Sequence, residues 1–297
     1  MSKQIKGTLL LLLAALIWGS TFVAQDVSMD KIGAFTFQGT RQIIGFFVLL
    51  PVIALRRKAN RDPGHRGNST EYRKTLLLSG LLCGVILFAA CNLQQFGLKY
   101  TTAGKSGFVT ALYIVMVPIA GLFFGRKTGK GIWAAVVLAV LGLYLLCVEK
   151  GSFSIGLGEL LTLGCSLCFT AHILVIDKVS SQVDGVELSA LQFLFSGIIS
   201  VICMFLTETV VWQDVLSCWF PICYAGFLSC GVAYTLQIVA QKDTNPTVAS
   251  IAMSTESVFA VLSGWLILGD KLSPREGFGC LLMFAGILLA QLPAKKK

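Results

Sequence analysis

Ten apolar runs, each near the length that crosses a hydrocarbon layer, constrain this 297-residue chain more than any other feature. A bilayer core about 30 Å thick takes about 20 residues at the helical rise of ~1.5 Å. Runs on that scale fall at 6–25, 35–55, 74–98, 103–124, 131–147, 157–177, 187–207, 216–240, 247–268 and 275–292. Backbone polar groups in lipid must be satisfied within their own segment, so each run reads as a helix. Charged residues make up 13% of the chain, where a soluble domain has about 25%, and most lie between the runs. The expectation is an all-α, polytopic membrane protein of ten transmembrane helices.

Lys and Arg orient the spans. With the N-terminus in the cytoplasm, inside segments hold Lys3, Lys6, seven residues of 56–74, three of 126–130, Lys178, Lys242 and Lys295, Lys296 and Lys297. Outside segments hold Lys31, Lys99, Lys105, Lys150, Lys271 and Arg275. Seventeen against six places both termini in the cytoplasm of a cell (plasma) membrane protein. Lys3 and Lys6 ahead of Leu9–Ile17 also resemble a secretory leader. The internal repeat described below argues that this run is a retained span. The net charge of +9 fits orientation and headgroup attraction, and no nucleic-acid partner is expected.

The ten cysteines, Cys83, Cys91, Cys147, Cys165, Cys168, Cys203, Cys230 and Cys280 among them, lie inside apolar runs, where cysteine acts as a small hydrophobe. Cys165-Ser-Leu-Cys168 spells CxxC without a second pair or a histidine set, so no metal and no cofactor is expected. Asn68-Ser-Thr70 fits a glycosylation acceptor, but on the cytoplasmic side.

The two halves of the chain resemble each other. Thr101-Thr-Ala-Gly-Lys-Ser106, Gly125-Arg-Lys and Gly142 recur as Asn245-Pro-Thr-Val-Ala-Ser250, Gly269-Asp-Lys and Gly286, each at an offset of 144. Leu9–Val23 matches Glu159–Ile173 at 150, the longer basic loop at 56–74 absorbing the difference. Five spans per half is an odd number, so the second copy runs in the opposite direction. The expected organisation is two inverted five-helix repeats, 1–150 and 151–297, around a central cavity, an arrangement used by transporters.

On these residues the chain resembles the drug/metabolite transporter superfamily, in its ten-helix EamA-type branch. The resemblance is carried by Leu13-Ala-Ala-Leu-Ile-Trp-Gly-Ser-Thr-Phe22, by Thr40-Arg41, and by Glu256-Ser-Val-Phe-Ala-Val-Leu-Ser-Gly-Trp-Leu-Ile-Leu-Gly-Asp-Lys-Leu-Ser-Pro-Arg275 with Gly279 and Gly286. It covers essentially the whole chain. The family commonly has Pro where this chain has Ser257, and Glu where it has Asp270. The resemblance implies a ten-helix basket and movement of small metabolites, often amino acids or related compounds.

Glu256 is the leading site residue, since a carboxylate within a span is costly without a partner, water or a proton. It could bind an amino group or exchange a proton; the plainer reading ties helices together. Arg41 and Glu256 differ in depth by only about 7 Å at the helical rise, so a pair or a shared ligand is open, as is an arginine reaching the interface. Trp18 lies mid-span with Gly19, Ser20 and Thr21. Gly19 suits helix packing, while Trp18 and Ser20 are cavity candidates. Asn92 and Gln95 are set as cavity amides, with Gln25, Gln38, Gln94, Gln192, Gln237 and Gln241 left mainly to helix contacts. His172, Tyr113 and Tyr234 complete the substrate-binding set, with packing as their alternative. Lys105 could draw anionic groups to the vestibule or reach the interface. Gly80-Leu-Leu-Cys-Gly84 and Gly121-Leu-Phe-Phe-Gly125 are GxxxG spacings that fit close packing within the chain or a homodimer.

The chain is thus expected to be a secondary-active transporter, in the lead an exporter, of a small organic metabolite, with proton coupling open. Import of a nucleotide-sugar or vitamin-like solute, or a membrane scaffold or sensor without transport, are the alternatives. There is no G-x-x-x-x-G-K-[ST] phosphate loop for an ATP-driven pump. Two histidines, His65 and His172, do not build the metal cage of a membrane enzyme.

Overall fold

The computed structural model describes residues 3–59, 69–101, 103–125, 128–148, 156–268 and 273–291, and among them every regular element is helical. Residues 269–272, Arg126, Lys127, Lys150, Arg61, Arg66, Asn68 and the three terminal lysines lie outside the described residues, as does the Lys105 side chain.

The chain forms α1 (Lys3–Met29), α2 (Ala34–Ala59), α3 (Thr70–Leu98), α4 (Ala103–Ala111), α5 (Tyr113–Phe123), α6 (Lys130–Cys147), α7 (Leu157–Val179) and α8 (Gly185–Thr207). It continues through α9 (Trp212–Ser217), α10 (Trp219–Tyr224), a π-helical stretch Ala225–Tyr234, and α11 (Thr235–Gln241). Then follow α12 (Pro246–Met253), α13 (Glu256–Ser263), a π-helical turn Gly264–Leu268, and α14 (Pro274–Gln291). Among the described residues eight helical stretches are long and apolar enough to cross a membrane, and Lys130–Leu146 is a shorter apolar one. α14 has 18 residues and opens with Arg275 and Glu276 in its first turns. Large apolar side chains such as Leu78, Phe205, Leu206 and Leu281 point outward, as the lipid-facing surface of a multi-pass membrane protein requires.

Helix contacts recur in mirrored pairs. α3 packs on α7 and α8, while the chain from α10 to α11 packs on α1 and α2. α1 packs on α12 and α13, and α7 packs on α4 and α5. α2 lies along α8, and α6 along α14. Lipid tails are as apolar as leucine, so helices in a membrane associate by close packing and polar contacts. α6 and α14 show this at Gly142 and Gly279. A Cβ on either would stand 2.7 Å from the other's carbonyl oxygen. The equivalent contact at the 144-residue offset is Gly286 on Ala135, at 3.0 Å from its carbonyl oxygen. The Gly80 and Gly84 face is used within the chain, against Leu191, Gln192 and Phe195 of α8.

Two helices break in mid-path, at equivalent positions. α4 gives way to α5 at Leu112, and α12 to α13 at Ser254 and Thr255; Leu112 corresponds to Glu256 at the 144-residue offset. The second break forms without the proline common in the family. Hydroxyls of Ser250, Ser254 and Thr255 donate to the carbonyls of Thr247, Ile251 and Ala252 at 2.8, 2.8 and 2.6 Å. Such bonds compete with the helical ladder and bend it. Glu256 therefore begins a helix in the middle of the bundle.

Candidate functional site

A cavity of about 530 Å³, its open mouth included, lies among α1, α2, α3, α4, α5, α7, the 225–234 stretch, α11, α12 and α13. Five predicted residues line it: Trp18, Arg41, Tyr113, Tyr234 and Glu256. α1 supplies Trp18, Thr21, Phe22 and Gln25, the i, i+3, i+4, i+7 spacing of one helical face. The other elements supply short pairs at the same spacing, such as Thr110 with Tyr113, Phe169 with Ile173, Tyr234 with Gln237, and Met253 with Glu256.

Arg41 and Glu256 face this shared space, the guanidinium buried and the carboxylate half-buried. Glu256 lies within electrostatic reach of Arg41. The two do not close into an ion pair, unlike Arg56 with Asp184 at 3.1 Å and Arg57 with Glu187 at 2.7 Å. Glu256 is set by its helix break and by Gly19, whose missing side chain lets α1 approach. A Cβ there would meet the Glu256 carbonyl oxygen at 2.7 Å and the Ala260 nitrogen at 2.6 Å.

Arg41 is held from behind. Its Nε donates to Gln38 Oε1 at 2.9 Å and its Nη2 to Cys91 Sγ at 3.7 Å, with its guanidinium carbon 5.5 Å from the centre of the Phe37 ring. The aromatic wall is built around Tyr234, which meets Trp18 edge to face at 4.8 Å, Phe193 at 5.6 Å and His172 at 6.3 Å. Tyr113 meets Phe169 at 6.4 Å in the same manner. Edge-to-face contacts of this kind fix ring orientation. Trp18 Nε1, Gln25 Oε1 and Gln237 Oε1 are buried polar atoms without a protein partner, all on residues that line the cavity. A buried donor or acceptor left unpaired costs about 1–3 kcal/mol, so such atoms favour a solute or water that pairs with them.

Four predicted residues stand outside the lining. Ser20 turns to the Tyr224 hydroxyl at 2.7 Å, since it sits on the far face of α1 from Trp18 and Thr21. Asn92 donates to the Phe88 carbonyl at 2.8 Å and to Ser200 Oγ at 3.5 Å, bridging α3 to α8. Gln95 accepts from Gln38 Nε2 at 3.3 Å, one layer behind Arg41. His172 pairs with Gln192 at 3.0 Å between α7 and α8. In their place Gln94 lines the cavity and donates to Thr110 Oγ1 at 3.2 Å, with Gln25 and Gln237 beside it. The spacing of Trp18, Thr21, Phe22 and Gln25 was the sequence signal that could have found the α1 face.

The EamA-like transporter family model matches residues 5–148 and again 156–292. The chain belongs to the EamA-like transporter family. Relatives of this EamA-like chain are named transporters. It is 29% identical to an uncharacterized transporter of Archaeoglobus fulgidus, over 98% of this chain and 87% of the relative. It is 22% identical to the uncharacterized transporter YoaV of Bacillus subtilis, over 96% and 97%. It is 23% identical to an S-adenosylmethionine/S-adenosylhomocysteine transporter of Chlamydia muridarum, over 94% and 90%. A crystal structure 19% identical in sequence has the same fold, with a TM-score of 0.79 over 97% of each chain. The EamA-like chain is thus a membrane transporter and not an enzyme, and it acts on a small molecule from within a lipid bilayer.

Proposed function

We propose that this transporter is secondary-active and moves a small organic zwitterion, an amino acid or a compound built on one, by alternating access. In this reading 1–150 and 151–297 are oppositely oriented repeats, with α6 and α14 as the fifth and tenth crossings. Export is the direction, and Glu256 exchanges a proton for the solute's amino group. The N- and C-termini face the cytoplasm of a plasma membrane.

One observation carries the reading: Arg41 and Glu256 share a cavity wall without closing on each other. A substrate carboxylate answers the guanidinium, a substrate amine answers the carboxylate, and each charge is then paired within the membrane. Tyr234, Trp18, Tyr113, Phe22 and Phe169 give the rest of the solute an apolar and aromatic wall. The Chlamydia muridarum relative supports the class, because both solutes in its name carry an amino acid group.

Purified protein in proteoliposomes tests this with counterflow of labelled L-phenylalanine, L-methionine and S-adenosylmethionine. At least one should exchange saturably, and Glu256→Gln and Arg41→Leu should each lower that exchange at least about tenfold while keeping a monodisperse fold. Wild-type protein that exchanges none of the three, or variants that exchange as well as wild type, would overturn the reading. Measuring exchange with and without an imposed proton gradient decides the coupling.

A further inference from the structure

The guanidinium of Arg41 has two forks of N–H groups, one along its side and one at its end. The side fork is Nε–H with the nearer N–H of Nη2, and both of its nitrogens donate to protein acceptors. Gln38 Oε1 accepts from Nε and Cys91 Sγ accepts from Nη2. Nη1, which with Nη2 makes the end fork, has no acceptor among the described residues. Arg41 is itself on the wall of the central cavity.

Gln38 is fixed in its turn. It is fully buried, and its Nε2 donates to Gln95 Oε1 at 3.3 Å and toward the Cys91 carbonyl at 3.5 Å. These two bonds commit the amide nitrogen to α3, which leaves the amide oxygen aimed at Arg41. An amide in this role is chemically specific. A carboxylate at position 38 would neutralise the guanidinium and compete with a ligand, whereas a neutral oxygen holds the side chain and leaves its positive charge for the cavity. Phe37 beneath the guanidinium adds a contact that restrains its plane.

From this geometry we infer that Gln38, braced by Gln95, is a positioning residue that turns the end fork of Arg41 into the cavity, where it takes a planar carboxylate by two parallel hydrogen bonds. Gln38 thereby sets specificity: it favours solutes that keep the carboxylate over amines of the same carbon skeleton. Cys91 contributes as the second acceptor of the side fork, and Gln95 acts only through Gln38. The inference deepens the zwitterion reading given above and rests on it.

The test uses full-length protein in detergent, with L-phenylalanine and phenethylamine, which has the same ring and amine without the carboxylate, as probes. Gln38→Leu should weaken L-phenylalanine binding by about tenfold, the worth of one hydrogen bond to a charged group, and leave phenethylamine within about twofold. Gln38→Asn, one methylene shorter, should behave the same and guards against a leucine variant that fails to fold. In an Arg41→Lys background Gln38→Leu should have no further effect on L-phenylalanine. A ligand-free arm uses selectively labelled arginine: the Nε–H signal of Arg41, assigned by its loss in Arg41→Lys, should exchange with solvent at least about tenfold faster in Gln38→Leu. Equal weakening of both probes, a full effect in the Arg41→Lys background, or unchanged Nε–H exchange would overturn the positioning role. Wild-type protein that binds neither probe counts against the zwitterion reading instead, and the exchange arm then decides the positioning role by itself.

Discussion

Glu208, at the end of α8, holds the start of α2, and replacing it with alanine should destabilise the protein measurably. Its carboxylate accepts from the backbone nitrogens of Phe35 and Thr36 at 2.8 and 2.9 Å and from the Thr36 hydroxyl at 2.6 Å. These amides belong to the first turn of α2, where the helix leaves its N–H groups without internal partners. Loss of a helix cap costs about 0.5–2 kcal/mol, and loss of a negative charge at a helix N-terminus about 0.3–1 kcal/mol more. Glu208 is half-buried, so water can take over part of what is lost and the full worth of three charge-assisted bonds is not forfeited. The expected cost of Glu208→Ala is thus about 2 kcal/mol, or about 3 °C in the unfolding midpoint of a chain this size. Glu208→Gln retains one acceptor oxygen and drops the charge, so it should fall between alanine and wild type. Scanning fluorimetry in detergent reads all three. An alanine midpoint within about 1 °C of wild type, or a glutamine variant no better than alanine, would refute the capping argument. The other end of the α2 and α8 pair carries the ion pairs Arg56 with Asp184 and Arg57 with Glu187. Those pairs are largely exposed on the arginine side, and each is expected to contribute at most about 1 kcal/mol.

Three further outcomes follow from the same structure. Glu256→Gln should leave the unfolding midpoint within a few degrees of wild type while lowering exchange of the transported solute at least about tenfold, the effect of one lost charge-assisted contact, as read by counterflow. Gly142→Leu and Gly279→Leu should each destabilise by about 3 kcal/mol or prevent folding, because a Cβ would stand 2.7 Å from a carbonyl oxygen on the facing helix; size-exclusion profiles and midpoints report it. Trp18→Phe should retain the edge-to-face contact with Tyr234 and remove the unpaired indole N–H, so solute affinity should change by about 1 kcal/mol with little change in midpoint; calorimetric binding with the wild-type solute measures this.

Reading this fold from sequence works because a membrane removes choices. A run of apolar residues at bilayer length has one backbone solution, so segments could be placed without any knowledge of neighbours. The 144-residue offset carried further than span counting: it aligns the break at Leu112 with the break before Glu256, and the Gly142 contact with that of Gly286. Arg41, Glu256, Trp18, Tyr113 and Tyr234 could be named from sequence because each carries a charge or a polar group that is costly at mid-membrane depth, whereas Phe22 and Phe169 look like any other apolar residue of a span. Rotation about a helix axis was not legible. Gln94 and Gln95 differ by one residue, which is about 100° of turn at 3.6 residues per turn, and that angle separates the cavity wall from the α2 and α8 interface. Asn92 and Gln95 share one face, three residues apart, and both turn to α2 or α8; Gln94 alone turns to Thr110. Ser20 fails by the same rule beside Trp18 and Thr21. Amides are chemically alike wherever they sit, so their identity marks a polar interior without marking which side of the helix is wet. That assignment comes only from neighbours: on α3 the face toward α2 carries the Cys91 contact to Arg41 and the Gln95 contact to Gln38, and the face toward α4 lines the cavity.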